Sequence, residues 1–143
     1  MHADYLIEHR AIPLAGRTVP AAVDVQFARN LGVGFENSAL MVSASAGQST
    51  PRSARFAYTF YRKEANSLIG QLTENDIAVG SSVNMAAHFI RFEYGFVRNV
   101  VFASDVSITS FLSPSDASRK FFVPLGPGVP TQLRYQVMLI SRF

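Results

Sequence analysis

Between residues 87 and 103 the chain reads AHFIRFEYGFVRNVVFA, with apolar side chains at every second position. His88, Ile90, Phe92, Tyr94 and Phe96 alternate with Phe89, Arg91, Glu93 and Gly95. That two-residue period belongs to an extended strand, whose successive side chains point to opposite faces, and not to one face of a helix. Gly95 or the Arg98-Asn99 pair supplies a bend, so the segment predicts two strands. The second set is no ordinary solvent face: Phe89 and Arg91 stand where Lys, Ser or Thr would be usual, which predicts that another surface covers them.

The same period recurs along the chain. Tyr5, Ile7 and His9 alternate before Pro13; Val23, Val25 and Phe27 alternate with Asp24 and Gln26; Leu40 to Ala44 reads as a third strand. Residues 43–53, SASAGQSTPRS, are small and polar and predict an exposed loop open to trypsin at Arg52 and Arg55. Phe56, Tyr58 and Phe60 then mark a strand that carries Tyr61 on its other face. EANSLIGQL, residues 64–72, fits a short helix or a strand equally, because Gly70 weakens the helix. Residues 77–85 and 106–112 read as strands, and Ser113-Pro114 as the start of one helical turn. Pro124, Pro127 and Pro130 exclude a central strand from their tract. A last strand over residues 132–142 predicts Leu133, Tyr135, Val137 and Leu139 facing inward and Arg134, Gln136, Met138 and Ile140 facing outward.

About eight to ten short strands without a βαβ rhythm predict an all-β fold, an antiparallel sandwich or barrel of jelly-roll or Greek-key type with at most one or two short helical turns. At 143 residues this is a single domain. Charged residues are 16% against 48% hydrophobic, below the roughly 25% charged of an average soluble domain, so polar surface is scarce and oligomerisation is the simplest relief. Arginine outnumbers lysine, a bias that suits protein interfaces. Zero Cys excludes a disulfide scaffold and thiolate chemistry. The first residues, MHADYLIEHR, lack the basic start and apolar core of a signal peptide, and the apolar runs fall short of the ~18 residues of a membrane helix.

Candidate chemistry is thin. A metal site from His2, Asp4 and His9 needs a further ligand that no spacing supplies. Ser81 or Ser82, His88 and Asp105 contain the side chains of a triad, yet no Gly-x-Ser-x-Gly occurs. Glu74 and Asp76 read as a solvated turn, and Gly32-x-Gly34 lacks the third glycine of a dinucleotide fingerprint, position 37 being Asn. Arg55, Arg62, Arg91, Arg98 and Arg134 are interleaved with aromatics, as in single-stranded nucleic-acid binders, but the alternation splits them between faces.

These readings predict a non-enzymatic, self-assembling structural subunit without cofactor, such as a virion or phage particle component. Its partners are further copies or other particle proteins, and its location the virion or cytoplasm. Phe89, Arg91, Arg134, Met138 and Ile140 are the expected subunit interface. The alternatives are a lectin-like module binding glycans through residues 45–53 and 113–119, and a β protein binding single-stranded nucleic acid.

Overall fold

A computed structural model of the chain describes residues 2–14, 16–67, 83–112 and 131–141. They form one seven-stranded sheet in sequence order, every neighbouring pair antiparallel: β1 (His2–Leu14), β2 (Arg17–Arg29), β3 (Ser38–Gly47), β4 (Ala54–Lys63), β5 (Met85–Val97), β6 (Val100–Phe111) and β7 (Thr131–Ser141). The all-β expectation holds. Among the described residues there is a single layer, and β1 does not pair with β7, so the sheet is not a closed barrel. The second sheet of a sandwich or jelly roll is not found among them.

Several predicted elements merge. Residues 100–111 make one strand because Ser104-Asp105 stays extended, with Asp105 bonded across to Arg91 on β5. Ser43 to Gly47, expected in a loop, belong to β3, where each residue has a partner on β4. That corrects the expected trypsin site at Arg55, which lies within β4. The 87–103 segment does divide into two strands: Arg98-Asn99 makes the turn, and the register slips between Gly95 and Val97. The helical turn after Ser113, the proline tract, Glu74, Asp76 and most of residues 64–72 and 77–85 lie outside the described residues.

The strands run 10 to 13 residues, about twice the usual length in globular domains. A layer this long and thin exposes much surface.

The connections differ at the two ends of the sheet. At one end lie short connections: residues 15–16, 48–53 and 98–99. At the other lie the longer ones, 30–37, 64–84 and 112–130. At the short end the 48–53 loop folds onto β5, with Arg52 N–H donating to the Gly95 carbonyl at 2.7 Å and Gly95 N–H to Ser53 O at 3.0 Å. A Cβ on Gly95 would stand 2.2 Å from the Thr50 carbonyl oxygen, so only glycine permits this approach.

At the long end the Glu64 carboxylate accepts from Ser38 N–H at 2.9 Å and Ser38 Oγ at 2.7 Å, and from Arg62 at 3.3 Å. Burial pushes this carboxyl up, but the Ser38 and Arg62 bonds outweigh it and hold it below its ordinary value. Its contribution to stability is therefore present above the unfolded pKa and fades as pH falls through the folded one. Asn37, buried, donates to the carbonyls of Asn30 and Val33, so the 30–37 loop is ordered by its own side chains.

Replacing Gly95 by Ala should cost about 1–3 kcal/mol as the 48–53 loop is pushed off β5. Denaturant unfolding, with proteolysis at Arg52 as a local probe, measures both the loss and the loop release.

Candidate functional site

Antiparallel register puts directly opposed residues on one face, so the six pairings sort the side chains into two sets. One face carries Val23 and Phe27 of β2, Leu40 and Val42 of β3, and Phe56, Tyr58 and Phe60 of β4. It continues through Ile90 and Phe92 of β5, Val106 and Ile108 of β6, and Leu133, Tyr135, Val137 and Leu139 of β7. By register the charged residues on this face include Arg29 and Arg62 at its long-connection end, Arg10 opposite Ala21, and Arg17 opposite Leu14 at the short-connection end. His88, mid-strand, takes a hydrogen bond with Tyr58 Oη at 2.8 Å and lies against the Phe60 ring.

The opposite face carries most of the polar and small residues, with Phe89 and the buried Met85 and Ala87 packed against Tyr61 and Phe111 among them. Across its middle, Asp24, Ser43, Thr59, Phe89, Ser107 and Arg134 form one row, and Ala22, Ser45, Ala57, Arg91, Asp105 and Gln136 the next. Arg91 grips Asp105 with two bonds, Nε to Oδ1 at 2.7 Å and Nη2 to Oδ2 at 2.6 Å, the fork geometry that makes arginine–carboxylate pairs strong. Arg55 pairs with Glu93 at 3.6 Å, and the Arg91 guanidinium lies 5.4 Å from the Phe89 ring centre.

Burial reverses what water-soluble sheets show. Buried residues include Glu93, Asp105, Ser107 and Thr109 on the polar face, whereas the buried hydrophobic residues are Ala, Val and Met only, among the described residues. The large apolar side chains are on the outside. Along β7, Leu133, Tyr135, Val137 and Leu139 are 69, 63, 53 and 71% exposed, while each residue between them is half-buried. The predicted inner and outer faces of this strand are thus exchanged. The polar face also retains unmet valence, since Thr109 Oγ1 and Gln132 Oε1, register partners on β6 and β7, are buried without a hydrogen bond.

All five expected interface residues, Phe89, Arg91, Arg134, Met138 and Ile140, fall on this polar face. Phe89 and Arg134 share the Ser107 row, Met138 lies opposite Ala103, and Ile140 opposite Val101. Arg91 is already engaged by Asp105. Glu93 lies on the face opposite His88 and Tyr94. Of the lectin loops, Ser45 to Gly47 are in β3 and 113–119 lie outside the described residues. The described residues hold no group of three metal-ligating side chains, and no helix among them is long and apolar enough to cross a membrane.

What sequence reasoning missed is the pairing of Asp105 with Arg91 and the polar ladder around it. The signal was present as alternation in β6, with Ser107 and Thr109 opposite in phase to Val106 and Ile108. No protein-family model, curated protein or solved structure matches the chain.

Replacing Asp105 by Ala leaves a half-buried guanidinium unpaired and should destabilise the sheet by about 2 kcal/mol. The double variant Arg91→Gln/Asp105→Asn should recover part of that loss, read as the coupling energy of a double-mutant cycle in denaturant unfolding.

Proposed function

We propose that this sheet is a wall segment of a membrane-embedded β-barrel, with its apolar face against acyl chains and its polar face lining a water-filled passage for small hydrophilic solutes. The role is non-enzymatic. The observation that carries it is the alternation along β7, where Leu133, Tyr135, Val137 and Leu139 are exposed and Gln132, Arg134 and Gln136, followed by Met138 and Ile140, are turned to the sheltered face. Outward-apolar and inward-polar strands are the pattern of outer-membrane-type barrels.

Three further features support the reading. Strands of 10 to 13 residues match the 9–11 tilted residues needed to cross a bilayer core. The face of β6 that carries Val100, Phe102, Val106 and Ile108 spans about 27 Å along the strand, about 20 Å of height at the ~40° tilt of such barrels. The sheet also has shorter connections at one end and longer ones at the other. Aromatics cluster near the short-connection end: Phe56 opposes Phe92, Tyr94 opposes Phe102, and Phe96 meets the Tyr94 ring edge-on at 5.1 Å. Such girdles lie at the level of lipid headgroups.

The self-assembling subunit is the second reading, favoured by the same uncovered face, which a second copy would bury as the other layer of a sandwich. A virion or phage setting adds to that reading only as an expectation, and glycan and nucleic-acid partners draw no support from the polar ladder.

The chain contains no Trp, so single substitutions report cleanly. In lipid vesicles, Val137→Trp should emit in the blue and be quenched by brominated acyl chains, while Gln136→Trp should be quenched by aqueous iodide instead. Protection of Val137→Trp from both quenchers would favour the sandwich of copies, and quenching of it by iodide would refute both readings.

A further inference from the structure

We infer that β1 and β7 are joined within the membrane to an odd number of additional spanning strands, and not to each other or to a second copy. The inference rests on the membrane reading above. Its starting point is that among the described residues the sheet has two open edges, β1 and β7. Every second residue of an edge strand turns its N–H and C=O away from the sheet, and in hydrocarbon no water satisfies them, so an open edge is not viable at that depth.

Strand direction decides what can close the gap. Six antiparallel steps separate β1 from β7, so both run from the long-connection end to the short-connection end. Paired directly, they would be parallel, unlike every other neighbour in the sheet. A second copy inserted the same way up presents its β1 to this β7 with the same parallel mismatch. Only an odd number of intervening strands continues the antiparallel ladder to closure, giving the even total usual in such barrels.

The β7 edge is the better template. All 11 residues of β7 are in continuous register with β6, whereas β1 carries an irregularity between Ile7 and Arg10. Its leucines are also very bare: Leu133 and Leu139 are 69 and 71% exposed, against 51% for Phe56, 40% for Phe92 and 41% for Ile108 on interior strands. The difference is the missing lateral neighbour. The strand that fits is about 10 residues long, apolar in phase with Leu133 to Leu139, and polar or small opposite Gln132 to Gln136.

The test places photoreactive p-benzoylphenylalanine at Leu133, at Leu139 and, on an interior strand, at Phe92, in the protein within the membrane of the cells that make it. Adducts are mapped by mass spectrometry. The expected result is a lipid adduct from Phe92, and from both β7 probes a peptide adduct on one alternating segment other than the seven strands described. The Leu139 adduct should map earlier along that segment than the Leu133 adduct, as antiparallel pairing demands. Adducts on residues 2–14 of the same or another copy, the reverse order, or lipid alone at both β7 positions would overturn the inference while leaving the membrane reading standing. Absence of lipid at Phe92 would remove the membrane reading and the inference with it.

Discussion

A sheet one layer thick has two faces and no interior, so which face water may touch governs everything else about this chain. Here the choice is made by side-chain alternation held in phase across six strand pairings. In-phase alternation collects most of the exposed Phe, Tyr, Leu, Ile and Val on one side, with Arg29 and Arg62 at its rim, and Asp24, Glu93, Asp105, Ser107 and Thr109 on the other, with Phe89, Met138 and Ile140 among them. A one-residue slip in any pairing would invert every side chain beyond it. Register is fixed at particular points: the Arg91–Asp105 fork, the Arg55–Glu93 pair and the close seat of the 48–53 loop against Gly95.

The polar ladder gains its significance from this division. An arginine bonded twice to a carboxylate in the middle of a sheet face is costly to desolvate and is weak evidence for stability by itself. Here Asp105, Ser107 and Thr109 are buried on the sheltered face, and the two bonds from Arg91 offset the cost of holding the carboxylate there. The apolar face has the opposite requirement. Its large residues extend from the Arg29 and Arg62 rim to the aromatic cluster at Phe92, Tyr94 and Phe96, and the register sets Arg10 of β1 in the Phe56–Phe92 row.

Much of the secondary structure was legible because alternation is a local property. The β5–β6 hairpin, its turn at Arg98-Asn99 and the irregularity near Gly95 follow from residues 87–103 alone. β3 was harder, since Ser43 to Gly47 carry no large side chain and are extended only because β2 and β4 flank them. The covered role of Arg91 depended on Asp105, 14 residues further on, and that needs the register between strands. The exchange of faces on β7 has a different cause: alternation defines two faces but not which one water meets. Assigning Leu133 to Leu139 inward presumes water outside, and the number of strands did not specify that. A rule for membrane helices is likewise silent about strands, which need no long apolar run.

The central claim is that the large-residue face meets lipid and the polar face meets water. Because the chain has no cysteine, a spin label can be placed at each position from Thr131 to Ser141 in turn, and its collisions with oxygen and with a water-soluble nickel chelate measured in bilayers. The account predicts a two-residue period, with oxygen access highest at Leu133, Tyr135, Val137 and Leu139 and nickel access highest at Gln132, Arg134 and Gln136. The opposite phase, or nickel access along the whole strand, would contradict it.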